Sequence, residues 1–256
     1  MTIRNTYIII ILFLSIIQSI SADGTLRRIN VPVLMYHYVS PLPPQSDSIR
    51  ENLTISPDTF RAHIEFLKSD GYETISLYEI NYALKYGTPL PEKPIILTFD
   101  DSYTDHYEYV FPILKEYGYI GTFFVITGYS DNNNPNHLTW EQVEEMSDAG
   151  MNMESHTKTH YTLINRDNDF LVWEIIGSIE SLESHTGKRP LTFSYPVGKY
   201  DEDTLRMLES TTTIQAVTTE YGAYHTLHDA LLSPRLRISG NMGVSGLKNL
   251  LDTALK

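Results

Sequence analysis

The residues best suited to chemistry are two adjacent carboxylates, Asp100 and Asp101, which end an apolar run at 95–99, and two imidazoles, His156 and His160, in Ser-His-Thr-Lys-Thr-His. Acids have no place in a core, but they suit the carboxyl end of a buried parallel strand, where α/β barrels and sheets carry their sites. A four-residue spacing brings two imidazoles to one point in a helical turn or in a bend. Two neutral imidazoles and a carboxylate form a zinc-type donor set, and three protein ligands leave one position for water. Such a histidine pair is commonplace on solvated surfaces, and its weight here comes from the acid pair at another strand end. Two further strand ends carry candidates: Tyr36-His37, after the apolar stretch 31–35, and the turn Tyr195-Pro196-Val197-Gly198.

These side chains meet only if their strands end together. Stretches at 31–35, 74–77, 95–99, 122–126, 152–155, 191–195, 214–218 and 235–238 read as strands, and a continuous apolar run such as 95–99 is that of a strand buried on both faces. Between them lie helices. Ser56 caps one, with Pro57 at its first position, Phe60, Ile64 and Leu67 on one face and Gly71 as the stop. Thr139 and Gln142 have the spacing of a capping box. Further helices are predicted over 105–117, 168–185 and 245–255, and a loop over 40–53. Regular alternation of this kind implies an α/β fold with a parallel sheet, closed or nearly closed into a barrel.

At the start of the chain, Arg4, an apolar stretch at 7–17 and the small residues Ser19, Ser21 and Ala22 have the order of a secretory signal peptide. Residues 1–22 are therefore expected to be removed, leaving one domain over 23–256 in the periplasm, in the cell envelope or outside the cell. The alternative is an uncleaved anchor, but that stretch is short of the ~20 residues a span needs. No later stretch spans a bilayer. With no cysteine, disulfides, thiol catalysis and thiolate ligands are excluded. A net charge of −13 repels nucleic acid and anionic lipid and suits a polycation such as an amino-sugar polymer, or serves solubility alone.

In this order and spacing, ILTFDD, SHTKTH and FSYPVGKYDEDTL resemble the polysaccharide deacetylase family, the carbohydrate esterases of family 4 that share the NodB homology domain. The likeness runs from LMYHYVS to RLRISG. It implies a distorted (β/α) barrel of seven or eight strands and metal-dependent removal of acetyl groups from sugars. It also implies roles: Asp100 as catalytic base, Asp101, His156 and His160 as ligands of a divalent metal, and the Val197 N–H as a donor to the oxyanion. Zinc is the expected ion, although cobalt, nickel and iron accept the same donors. An acid must protonate the leaving amine, because an amide anion is too basic to depart.

Two departures bear on substrate. Ser194 stands where most members carry an orienting Arg, and the late Leu227-His228-Asp229 does not end a clear strand. Both resemble the exported poly-N-acetylglucosamine deacetylases associated with biofilms, in which the acid comes from the N-terminal strand. His37 is then the expected acid, with His228 as runner-up. An orienting cation is expected from Arg235 or Arg237, which share a strand face, and Tyr195 is expected to wall a sugar site. The expected function is an exported N-deacetylase of N-acetylglucosamine polymers, with poly-β-1,6-N-acetylglucosamine favoured over peptidoglycan or chitin oligomers. A non-catalytic glycan-binding protein on the same scaffold is the rival class.

Overall fold

The computed structural model describes residues 27–256, so the expected signal peptide lies outside the described residues. Seven strands organise them: Val33–Tyr36 (β1), Pro94–Phe99 (β2), Thr122–Val125 (β3), Asn152–Ser155 (β4), Thr192–Ser194 (β5), Gln215–Tyr221 (β6) and Ser233–Arg237 (β7). Each runs parallel to the strand before it in the chain, and β7 pairs with β1, which closes the ring into a barrel. The β4–β5 seam is thin, with Ser155 opposite Phe193 as its register pair. Glu154 reinforces it by accepting the Leu191 and Thr192 amides at 2.9 and 2.7 Å.

The eighth expected strand, 74–77, is not part of this ring. Glu73–Thr74 pairs beside the start of β2, and Leu77 already opens the helix Leu77–Tyr86. Ser76 and Glu79 form a capping box there, which offers the backbone a helix start instead of a longer ladder. The loop expected over 40–53 likewise ends in a helix, Ser48–Leu53, capped by the Asp47 side chain.

Alternation along each strand sorts the residues into two layers. Val33, Ile96, Phe124 and Val217, from four strands, form one apolar cluster with Ile75, Leu77, Ile80 and Leu84; this is the barrel interior. Leu34, Leu97, Phe99, Phe123 and Leu236 face outward and pack with Phe60, Ile64 and Leu67 of the helix Pro57–Ser69. Burying a side chain of that size stabilises the fold by ~1.5–3 kcal/mol. Continuing the inward parity toward the carboxyl ends gives His37 after Val33 and Met35, Asp100 after Ile96 and Thr98, His156 after Glu154, and Ser194 after Thr192. The barrel's own periodicity therefore delivers its polar residues to one mouth.

Two of the expected helices are interrupted. A π-helical turn, His106–Val110, precedes Phe111–Tyr117, and another, Val172–Ile176, separates Asn168–Leu171 from Gly177–Thr186. Single π turns inside helices are frequent at functional sites, and both of these follow strand ends of the mouth. Among the described residues no helix is long and apolar enough to cross a membrane.

Candidate active site

At the mouth, Asp101 Oδ1 lies 3.3 Å from His156 Nε2 and 3.1 Å from His160 Nε2. The ligand atoms of the three residues all fall within 4.8 Å of one another. The Nδ1 of His156 is 2.7 Å from the Ser194 carbonyl. A carbonyl can only accept, so Nδ1 carries the proton, and the neutral ring turns its Nε2 lone pair toward Asp101. Two lone pairs at such a distance repel unless a cation lies between them. Tyr103 donates its hydroxyl to Asp101 Oδ2 at 2.9 Å, which leaves Oδ1 free for that cation. Tetrahedral ligands ~2.0–2.2 Å from an ion are about 3.3–3.6 Å apart, close to the spacing seen here. The donor set thus fits a divalent metal, with a second layer of hydrogen bonds fixing two of its ligands.

Asp100 is 3 % exposed and Arg235 only 1 %. Nη1 of Arg235 donates to Asp100 Oδ1 and Nη2 to Oδ2, both at 2.7 Å, in the bidentate arrangement favoured by guanidinium and carboxylate. The other donors reach the Thr218 carbonyl, Thr98 Oγ1 and Ser194 Oγ, so all five N–H bonds of the buried guanidinium are used. Burial alone would raise the Asp100 carboxyl, but the charge and hydrogen bonds of Arg235 outweigh it and hold the group at about 2. Asp101 is also pushed up by burial, while His156 and His160, when protonated in place of binding a cation, donate to it and hold it well below the usual carboxylate range.

The backbone carries strain at the same place. Asp101, Ser102, Thr157, His160 and Val197 adopt positive φ values of 74°, 52°, 68°, 63° and 51°. For β-branched Val197 this region is a genuine outlier, and each such residue costs on the order of 1–3 kcal/mol. The turn Pro196–Gly198 is closed by bonds from the Gly198 and Lys199 amides to Tyr195 and Pro196, the amides that follow Val197. Gly198, at φ 71°, abuts strand β6 so closely that a Cβ would lie 2.3 Å from Thr219 Oγ1.

His37 is half-buried at the end of β1, and its Nδ1 has no hydrogen-bond partner. Burial lowers its pKa, against the opposing charges of Asp100 and Asp101. Its carbonyl is held by His106 Nε2 at 2.7 Å, from the first π turn.

One expectation needs correction. Tyr195 is 1 % exposed, donates its hydroxyl to the Leu231 carbonyl at 2.9 Å and packs on Phe193 and Tyr200, so no face is open to a sugar. The reason is parity: Ser194 points inward, so Tyr195 points out. Of the two candidate cations Arg235 meets Asp100, while Arg237, one layer nearer the rim, is exposed. His228 is exposed on a turn. Sequence reasoning missed Tyr103, Thr98 and Glu174. Thr98 was legible from its place two residues before Asp100 on the inward face.

The Polysaccharide deacetylase family model matches residues 87–215. The Bacillus subtilis protein YxkH, a polysaccharide deacetylase by provisional assignment, is 34% identical over 229 residues, which are 90% of this chain and 78% of that one. A Staphylococcus aureus poly-β-1,6-N-acetyl-D-glucosamine N-deacetylase is 28% identical over 171 residues, covering 62% of this chain and 59% of its own length. Among solved structures, the Streptococcus pyogenes deacetylase PplD in complex with acetate superposes with a TM-score of 0.82 at 31% identity, over 88% of this chain and 99% of that chain. With its strand ring, its Asp-His-His cluster and these relatives, the chain belongs to the polysaccharide deacetylase family.

Proposed function

We propose that this protein is an exported, metal-dependent N-deacetylase of N-acetylglucosamine polymers, with poly-β-1,6-N-acetylglucosamine as the preferred substrate. The observation that carries the reading is the Arg235-clamped Asp100 carboxylate next in the chain to Asp101, the residue that meets His156 and His160. A divalent ion held by Asp101, His156 and His160, zinc by preference, supplies Lewis-acid polarisation of the acetyl carbonyl and brings the pKa of water from ~15.7 to ~7. Asp100 accepts the proton of the attacking water. The Val197 N–H donates to the developing oxyanion, a contact of the kind whose removal costs ~3–4 kcal/mol elsewhere. His37 donates to the departing nitrogen, and the products are acetate and the free amine.

The staphylococcal relative acts, by its name, on the β-1,6 polymer, and the solved streptococcal relative holds acetate. A groove of about 620 Å³, lined by Tyr38, Arg50, Tyr103, Asp105, Asn136 and His137, adjoins Asp101 through Tyr103 and gives a neighbouring sugar room. Export rests on residues 1–22 alone.

Acetate release from β-1,6-linked acetylated glucosamine oligomers, chito-oligosaccharides and peptidoglycan fragments tests the reading. Release is expected to be fastest on the β-1,6 oligomers, to stop on chelation and to return with zinc. Absence of acetate from all three substrates with the metal loaded would overturn the activity. A preference for chitin or peptidoglycan would replace the substrate.

His37→Ala is expected to lower kcat by ~100-fold, at the modest end for loss of a positioned acid, whereas exposed His228→Ala leaves it unchanged. The opposite pattern in the same acetate assay would move the acid to His228.

A further inference from the structure

The metal-ligand segment 156–160 is gripped from outside the barrel by a residue that belongs to none of the motifs. Glu174 lies at the centre of the π turn Val172–Ile176 and is 1 % exposed. Its Oε2 accepts the Lys158 N–H at 3.0 Å and the Thr159 N–H at 2.9 Å, and its Oε1 accepts the Thr159 hydroxyl. The Lys158 ammonium does not neutralise it, being engaged by Asp131 at 2.6 Å and Ser181 at 2.8 Å. Burying a carboxylate is costly unless donors surround it. Here the donors are the Thr159 hydroxyl and two of the three backbone amides that lie between the ligands His156 and His160.

Those amides need such a partner because the segment cannot join a regular ladder. Thr157 and His160 are both in the left-handed region, and the His160 N–H turns back onto Thr157 Oγ1 at 3.0 Å. On the other side the Thr157 and Lys158 carbonyls accept the Thr127 and Gly128 amides at 3.1 and 2.8 Å. A Cβ at Gly128 would stand 2.4 Å from the Lys158 oxygen. Glu174 therefore takes the donors of a bend whose acceptors are already taken, and the π turn brings its side chain inward beside buried Ile175.

Resting on the proposed metal site, we infer that Glu174 is a positioning residue that holds His160 at the angle to His156 required for joint coordination. Without it, the buried Lys158 amide and the half-buried Thr159 amide lose their acceptor, and the bend is free to swing His160 away from the other two donors.

Zinc affinity is measured by competition with a chromophoric chelator, alongside thermal melts of metal-free protein. Outer-layer partners of metal ligands are worth ~10–100-fold in affinity, and Glu174→Ala is expected to weaken zinc by that amount per folded molecule. Glu174→Gln keeps an oxygen for both amides, and Thr159 can reverse its hydroxyl toward the new NH₂, so its affinity is expected to stay within about threefold of the parent. Should Glu174→Ala fail to fold, Thr159→Val, which removes the hydroxyl contact alone, is expected to weaken zinc by a few-fold. A Glu174→Ala protein, or in its absence Thr159→Val, with parental zinc affinity and only a lower Tm would overturn the inference. So would a Glu174→Gln protein as weak as Glu174→Ala, since charge and not amide geometry would then be the cause. His156→Ala is the control: if the parent binds no more zinc than this variant, the metal site falls and the inference with it. If the parent binds and Glu174→Ala matches it, only the role of Glu174 falls.

Discussion

Asp100→Asn is expected to lower kcat for acetate release by ~10²–10⁴-fold, the range for loss of a general base, while the protein retains its metal. The carboxylate faces the mouth on the inward side of β2, beside the ligand cluster but engaged with Arg235 and not with the imidazoles. Arg235 occupies one direction on each oxygen, and a carboxylate has about four acceptor sites, so room for a water proton remains. Asparagine preserves the shape, loses the charge and presents an NH₂ to the guanidinium. Some stability is lost with the ion pair, so turnover has to be expressed per folded, metal-loaded molecule. A decrease of less than tenfold, with zinc content at the parental level, would remove Asp100 from the role of base. Loss of zinc together with activity would instead mean that Asp100 and Asp101 had been given each other's roles.

How far the site was legible depended on whether a residue's role is set by its own strand or by its neighbours. Asp100 and Asp101 stand at the end of an apolar run and His156 and His160 follow another strand, and the fold needed only parallel strands that end together to gather them. Tyr195 was misjudged although the information was present: inward Ser194 forces it into the helix layer with Phe193. The pairing of Arg235 with Asp100 spans 135 positions and depends on β7 closing against β1, which no local pattern encodes. Glu174 left a faint trace, an acid three residues after Leu171 on an otherwise apolar stripe. The π turn that aims it at the ligand bend arises from packing and has no signature in the periodicity. The strand expected at 74–77 failed for a local reason, since the Ser76–Glu79 box competes for the same backbone.

Replacing Arg235 by methionine is expected to destabilise the protein by ~3–5 kcal/mol at neutral pH, because it removes one partner of a buried pair and leaves the other charged. The change also strips partners from Thr98, Ser194 and the Thr218 carbonyl. The pH dependence has a defined sign. In the parent, Asp100 is held at about 2, below its value in the unfolded chain, so it contributes stability above pH ~3.9 that is lost as pH falls through about 2. Without the guanidinium the raising effect of burial is opposed only by the smaller charge effects of His156 and His37, and the folded-state pKa is expected to move above the unfolded value. Protonation then relieves the buried charge, so the destabilisation measured by denaturant melts shrinks as the solution is acidified. Catalysis follows the same group. The parent shows no acidic limb from Asp100 above pH ~4, whereas the variant gains one, because an acid with a raised pKa must first lose its proton to serve as base. Lysine does not restore the arrangement, since a point charge cannot engage both oxygens while also reaching Thr98, Ser194 and Thr218. In a double-mutant cycle, Asp100→Asn combined with Arg235→Met is expected to be less destabilising than the sum of the two alone, which isolates the pair. Additive effects, or a variant whose stability loss does not depend on pH, would show that Arg235 holds the barrel mouth together without governing the charge of Asp100.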